Sequence, residues 1–339
     1  MKTKTMKAFT FKRYGKFPEL GFENRDYPSV GPDEILVKVY AVGLNPIDNM
    51  IPTGILKPVL HFTLPATLGS DLSGIVIATG SRVTRFKPGD EIFASIFDRG
   101  TGSLAEFAVV PENLAAFKPA NLDFVQAASL PMVSLTSWQA LTERASLQSG
   151  QKVFIPAGSG GIGSFVIQLA KHLGAKVGTT TSTANVERVS RLGADEVVDY
   201  KAQEFENVLS GYDIVLGTVR GDTIEKSTLI LKPGGKIVSL IGPLDAAFAR
   251  ERHLNIFLRS VFGLMSRKIM RLTRKRDLTY SFHFVRPDGK QLAQISKLME
   301  AEHIIPVIDK VFPFAETKDA LGYLAEGHAK GKVVVTIQE

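Results

Sequence analysis

The sequence predicts an α/β protein: a partly β, barrel-like first domain followed by a doubly wound parallel sheet. Three observations carry that prediction. Short strand-like runs broken by Gly and Pro fill the first third of the chain, strands alternate with helices beyond it, and a glycine-rich turn joins one such strand to one such helix.

Residues 6–12 and 34–42 read as strands, the second alternating apolar and polar side chains, with Pro28, Gly31 and Pro32 marking a turn between them. Residues 75–78, 91–96 and 103–110 continue the β pattern, and Lys87-Pro-Gly-Asp90 turns the chain into the second of these. This texture ends near residue 126, which sets the first domain at 1–126. Residues 124–130 and 134–143 then show helical spacing, and 151–156 reads as a buried strand. A helix over 162–173 stops at Gly174, a strand follows at 176–180, and a helix over 185–192 stops at Gly193. Strands at 195–199, 214–217 and 236–241 complete the alternation, which only a parallel sheet with crossover helices accommodates.

A length of 339 residues suits two domains, and 44% hydrophobic with 22% charged residues is an ordinary globular composition. There is no cysteine, which removes disulfides, thiolate nucleophiles and every cysteine-ligated metal site. A reducing compartment, the cytoplasm, is the expectation, and the basic lead Met1-Lys2-Thr3-Lys4 runs into a strand rather than an apolar signal core. The net charge of +7 invites a nucleic-acid reading until it is located. Residues 250–276 hold nine Lys/Arg against the single acid Glu251, a local +8 that leaves the rest of the chain at −1. No nucleic-acid partner is therefore expected.

Gly158-Ser159-Gly160-Gly161-Ile162-Gly163 fits G-x-G-x-x-G directly after a strand and directly before a helix. In that context the first glycine makes the tight turn, the second lets backbone approach a pyrophosphate, and the third lets helix and strand pack. The helix N-terminus adds unpaired N–H groups and partial positive charge. About 20 residues on, NAD sites place an acid against the ribose 2′-OH. Here the chain has Thr179-Thr180-Thr181-Ser182-Thr183, whose hydroxyls can donate to a 2′-phosphate, so NADPH is the expected cofactor.

The chain resembles the zinc-independent medium-chain dehydrogenase/reductase family, in its quinone oxidoreductase and enone reductase branch. The resemblance rests on Ala41-Val-Gly-Leu-Asn45-Pro46-Ile-Asp48, Leu68-Gly69-Ser-Asp71-Leu-Ser-Gly74, Phe86-Lys-Pro-Gly-Asp90 and Gly102-Ser-Leu-Ala-Glu106. It continues through Leu130-Pro-Met-Val-Ser-Leu-Thr136, the glycine turn, Leu192-Gly-Ala-Asp195, Leu231-Lys-Pro-Gly-Gly235 and Gly331-Lys-Val-Val-Val335, in order over nearly the whole chain. It implies a GroES-like β domain at 1–126 completed by 287–339, a Rossmann domain at 127–286, and a homodimer. In relatives with catalytic zinc a Cys and a His are ligands; this chain has no Cys, and His61 has no second ligand near it in the sequence.

Carried over by position, the resemblance places Asn45 and Asp48 beside the nicotinamide and Thr136 on the helix facing its carboxamide and ribose. Ser182 and Tyr200 fall at the 2′-phosphate, and Asn185 stands where some relatives have a lysine. Ile241, Gly242, Phe282 and Phe284 flank the nicotinamide. For a metal-free hydride transfer, an oxyanion needs hydrogen-bond donors, and Asn45 is the expected one; its alternative role is to cap a turn before Pro46. Asp48 is disfavoured as a general acid, because an unperturbed Asp is ionised at neutral pH.

Within 250–276, Leu254, Phe257, Leu258, Val261, Met265, Ile269 and Leu272 recur at helical spacing with arginines mainly opposite. A basic amphipathic helix can lie on an anionic membrane, but the preferred expectation is that its apolar side covers the substrate cleft or a subunit interface. The functional expectation is NADPH-dependent reduction of a small quinone or enone. A cofactor-binding protein with little turnover and a zinc-free alcohol or ketone dehydrogenase are the alternatives.

Overall fold

The computed structural model describes residues 4–338, so residues 1–3 of the basic lead lie outside it. Two compact units divide the chain: residues up to Leu135 together with those from Arg286 onward, and Thr136–Val285.

The first unit begins with β1 (Thr5–Phe11), β2 (Leu20–Asp26), β3 (Glu34–Leu44) and helix α1 (Pro46–Met50). It continues with β4 (Ala66–Thr67), β5 (Asp71–Thr79), β6 (Glu91–Ser95), β7 (Phe107–Pro111), β8 (Ala115–Phe117), α2 (Phe124–Ala128) and the start of α3 (Pro131–Trp138), whose last three residues fall in the second unit. The second unit holds β9 (Lys152–Ile155), α4 (Gly161–His172), β10 (Lys176–Thr181), α5 (Val186–Arg191), β11 (Glu196–Asp199), α6 (Phe205–Val208) and β12 (Tyr212–Gly217). After α7 (Thr223–Ser227) and β13 (Leu231–Ser239) come α8 (Ala246–Glu251), α9 (Ile256–Met265), α10 (Arg267–Lys275) and β14 (Thr279–Phe282). The chain then returns to the first unit with α11 (Gly289–Glu300), β15 (Ile308–Pro313), α12 (Thr317–Ala325) and β16 (Lys332–Thr336).

In the first unit β3 is the organising strand. It pairs antiparallel with β5, β7 and β16, inside a seven-stranded sheet that runs β15-β16-β3-β5-β6-β8 with β7 added on β3. Its alternating start gives way to continuous burial from Ala41 to Leu44, where α2 presses on it so closely that a Cβ on Gly43 would lie 2.1 Å from the Ala128 carbonyl oxygen. The strand therefore runs two residues beyond the expected Val42.

The second unit is an all-parallel sheet in the order β11-β10-β9-β12-β13-β14. Its order reverses between β9 and β12, and the carboxyl ends of those strands open a crevice where an α/β sheet of this kind takes its ligand. The ring of Phe154 stacks on Phe205 at 4.7 Å and meets Tyr212 edge-on at 5.8 Å, filling the core under β9 and β12.

Two expectations need correction. The expected helix at 134–143 is α3 followed by a π-helical stretch, Gln139–Arg144. The single helix expected over 250–276 is three pieces. His253 adopts the left-handed conformation (φ +52°) after α8, Asn255 caps α9 by accepting from Leu258 N at 2.9 Å, and Ser266 joins α9 to α10. Asn, Asp and His tolerate such backbone where apolar residues do not.

If β3 and α2 meet as described, Gly43→Ala should cost about 1–3 kcal/mol of unfolding free energy in a urea titration. An unchanged midpoint would contradict the close approach.

Candidate functional site

The turn between β9 and α4 is built from space rather than side chains. A Cβ on Gly158 would lie 2.3 Å from Thr179 Oγ1, and one on Gly163 would lie 2.4 Å from the Ala157 carbonyl. Both positions are closed to any larger residue. A Cβ on Gly160 would meet only the Ala157 carbonyl, at 3.5 Å. Nothing in the fold requires that glycine, and the space before it is open to a ligand. Gly160 caps α4, whose first helical bond runs from Ser164 N to Gly160 O at 2.9 Å, so the amides of Gly161, Ile162 and Gly163 have no helical acceptor. No acid stands in the first turn of α4. These groups fit the pyrophosphate of a dinucleotide.

The hydroxyls at the end of β10 and just beyond it divide their work. Thr179 Oγ1 donates to Ile155 O at 2.6 Å, Thr180 Oγ1 accepts from Ala157 N at 3.1 Å, and Thr181 Oγ1 donates to Ser159 Oγ at 3.1 Å. All three brace the turn. Thr183 Oγ1 donates to Asp199 at 2.5 Å. Ser182 Oγ accepts from Asn185 Nδ2 at 3.0 Å, which leaves its own O–H free to donate. Asn185 is buried and holds Ser182, while Tyr200 is 59% exposed at the end of β11. Sequence reasoning found no acid on this strand end but overlooked Asp199 on the next one. Its carboxyl is held below the usual range by the Thr183 hydroxyl and the Lys201 amide, so it is charged and already engaged.

At the end of β13, Gly242 takes φ +101° before Pro243, and Ser239 Oγ donates to Gly242 O at 2.7 Å. Ile241 and Gly242 line a cavity of about 250 Å³ together with Arg220, Ile224, Met265 and Ile269. Met265 and Ile269, at the α9–α10 junction, stand among the residues of that lining. Phe282 is buried against Phe248 at 5.0 Å, with its amide donating to Asp245, whereas Phe284 is half-buried beneath the Arg252 guanidinium. Thr136 is buried on α3.

In the first unit Asn45 and Asp48 join a buried polar cluster that sequence reasoning did not assemble. Asp48 accepts from Asn45 N at 2.7 Å and from the Ser70 hydroxyl at 2.9 Å. Asn45 Nδ2 donates to Asp71 Oδ2 at 3.0 Å and to Gly43 O at 3.3 Å. Lys332 Nζ donates to Asn45 Oδ1 at 2.6 Å and to Leu44 O at 2.7 Å, and lies 4.0 Å from Asp71 Oδ2. The amide orientation of Asn45 is dictated, because an ammonium only donates and a carboxylate only accepts. Both amide hydrogens of Asn45 are committed inside the unit, to Asp71 and Gly43, so none is left unpaired for the oxyanion expected there. Asp48 likewise departs from the expected ordinary carboxylate. Complete burial pushes its pKa up to about 7, against the opposing pull of the Asn45 amide and Ser70. Burial also raises Asp71 and lowers Lys332, each partly countered by the other's charge. The signal for Lys332 was present: a lone lysine opening an otherwise apolar strand.

The carboxy-terminal part of the chain, residues 192–335, matches the family model described as zinc-binding dehydrogenase, and residues 31–120 match that of the alcohol dehydrogenase GroES-like domain. A mitochondrial NAD(P)H oxidoreductase of Danio rerio is 36% identical over 98% of this chain and 92% of its own length. The chain belongs to the medium-chain dehydrogenase/reductase family, in its quinone oxidoreductase and enone reductase branch. Within that family, the chloroplastic NADPH-dependent alkenal/one oxidoreductase of Arabidopsis thaliana is 34% identical over 98% of this chain and 80% of its own. The structure of the quinone oxidoreductase from Coxiella burnetii superposes with a TM-score of 0.85 at 29% identity, covering 99% of this chain and 100% of that one. This medium-chain dehydrogenase/reductase is an oxidoreductase that uses a nicotinamide cofactor, and the open face of the glycine turn fits one.

A zinc ion does not fit. The chain has no cysteine, His61 is exposed, and among the described residues no three His, Asp or Glu side chains are grouped to hold a metal. The buried carboxylate of Asp71 already faces an ammonium rather than a place for a dication.

The raised Asp48 carboxyl keeps its proton in the folded chain at pH values where the unfolded chain has lost it. That contribution favours folding below about pH 4 and is withdrawn as pH rises through about 7. Asp48→Asn resembles the neutral acid in shape and cannot ionise. Its melting temperature, relative to the parent, should therefore improve between about pH 5 and about pH 8; a difference constant across that range would contradict the buried neutral carboxyl.

Proposed function

We propose that this oxidoreductase is NADPH-dependent and reduces quinones or α,β-unsaturated carbonyls. One observation carries the cofactor choice: at the end of β10 the Ser182 O–H is free to donate, with no carboxylate on that strand end to occupy or repel a 2′-phosphate. The names of the Arabidopsis alkenal/one oxidoreductase and the Coxiella quinone oxidoreductase support the substrate class. So does the poor fit for zinc, because a conjugated acceptor spreads the charge it receives and needs less help from a Lewis acid than an isolated ketone does.

Bound nicotinamide supplies the hydride. The chain's own residues bind and orient it. The amides of Gly161, Ile162 and Gly163 hold the pyrophosphate, Ser182 and Tyr200 the 2′-phosphate, and Ile241 and Gly242 wall the cavity of about 250 Å³. Asn45 and Asp48 act as positioning residues that, with Lys332, fix the β3–α1 corner. Asp48 is fully buried, so we propose that the proton completing the reduction comes from water.

The purified chain should oxidise NADPH with a 1,4-quinone or a short enone and not with a saturated ketone, followed by absorbance. Ser182→Ala should weaken NADPH binding about tenfold or more, the worth of a hydrogen bond to a charged group, and leave NADH unchanged. Turnover of the ketone alone, or equal loss with both nucleotides, would contradict the proposal.

A further inference from the structure

Helix α9 carries apolar side chains on two opposite sides. Phe262 faces inward at 6% exposure, its ring 6.2 Å from that of Phe248. Ile256, Phe257 and Leu264 are 78%, 71% and 67% exposed. At about 100° per residue they share, with Ser260, the side of the helix away from Phe262. Elsewhere exposed large apolar residues such as Phe17, Ile55 and Phe117 lie singly along the chain, which is ordinary. A stripe of three on one helix is not.

The next helix complements that stripe. In α10, Ile269 and Thr273 are buried, and Arg267, Arg271, Arg274 and Lys275 are exposed on the other side. Lys268 is tied to Glu225 at 2.7 Å, but among the described residues Arg259, Arg267 and Arg271 pair with no carboxylate. An exposed apolar stripe is thus followed directly by a face of unneutralised cations.

We propose that α9 and α10 dock this protein on the surface of an anionic lipid membrane. The apolar stripe would enter the acyl boundary while the arginines meet lipid phosphates, the combination that holds interfacial helices. Charge decides against a second copy of the chain on this surface. The segment 250–276 carries a local +8, and a two-fold contact would set that charge against itself. Of the apolar residues read from the sequence, Ile269 is buried and lines the cavity, while Phe257 is exposed; Ile256 and Leu264 extend the exposed stripe beyond that set.

The test is sedimentation with phosphatidylcholine vesicles, with or without phosphatidylserine at about three lipids in ten. The protein should sediment only with the serine-containing vesicles and should be released in about 0.5 M salt, where exposed charges are screened. Each cation near such a surface strengthens binding about fivefold, so Arg259→Gln, Arg267→Gln and Arg271→Gln together should weaken it about a hundredfold. Phe257→Ser with Leu264→Ser should weaken it at least tenfold. Both variants alter exposed side chains, and their circular dichroism and melting should match the parent. Absence of sedimentation by the folded parent, or parent-like binding by both variants, would overturn the proposal. So would a change from dimer to monomer in light scattering of Phe257→Ser with Leu264→Ser, which would make the stripe a contact between copies.

Discussion

The turn between β9 and α4 has to satisfy two demands at once. The helix must close on the sheet, and its N-terminus must stay bare. Contacts of 2.3 and 2.4 Å that a Cβ would make at Gly158 and Gly163 meet the first demand, and the open ground before Gly160 meets the second. The hydroxyls of Thr179, Thr180 and Thr181 lock the turn from the neighbouring strand. Ala157 takes φ +55° to enter it, a left-handed conformation that disfavours a side chain by about 1–2 kcal/mol. A strained residue held at the lip of an open helix end is what a preorganised anion site looks like.

A second constraint governs the other unit. Lys332 opens the last strand and reaches back to Leu44 and Asn45, beside the fully buried Asp71 and Asp48. Removing one member of such a cluster leaves its partners buried and unpaired, which costs about 3–5 kcal/mol. The cluster therefore closes the first unit across the sequence, joining β16 to the β3–α1 corner. It also explains why Asn45, the natural donor to choose from composition alone, has no hydrogen to spare.

Features whose chemistry is local could be read from the sequence. The glycine turn is six consecutive residues with a strand before and a helix behind, and both elements stand where they were expected. The alternation of strands and helices through the second unit was equally plain, because β-branched runs and Gly stops recur at short intervals. What could not be read depends on partners far away in the chain. Lys332 and Asn45 are 287 positions apart, and no periodicity announces their bond. Asp199 escaped notice because it lies on β11, whose register beside β10 brings it opposite Thr181. The helix expected over 250–276 failed for another reason: its apolar spacing fitted a single helix, while the caps at Asn255 and the joint at Ser266 were stronger local signals than the period.

Gly160→Asp separates the fold from the nucleotide most directly. Asp is a favoured helix cap, and its Cβ has room, so unfolding free energy should stay level or rise. Its carboxylate would occupy the amides and repel the phosphates, so NADPH affinity measured by calorimetry should fall at least about a hundredfold. A folded Gly160→Asp protein that binds NADPH as the parent does would show that the nucleotide is held somewhere else.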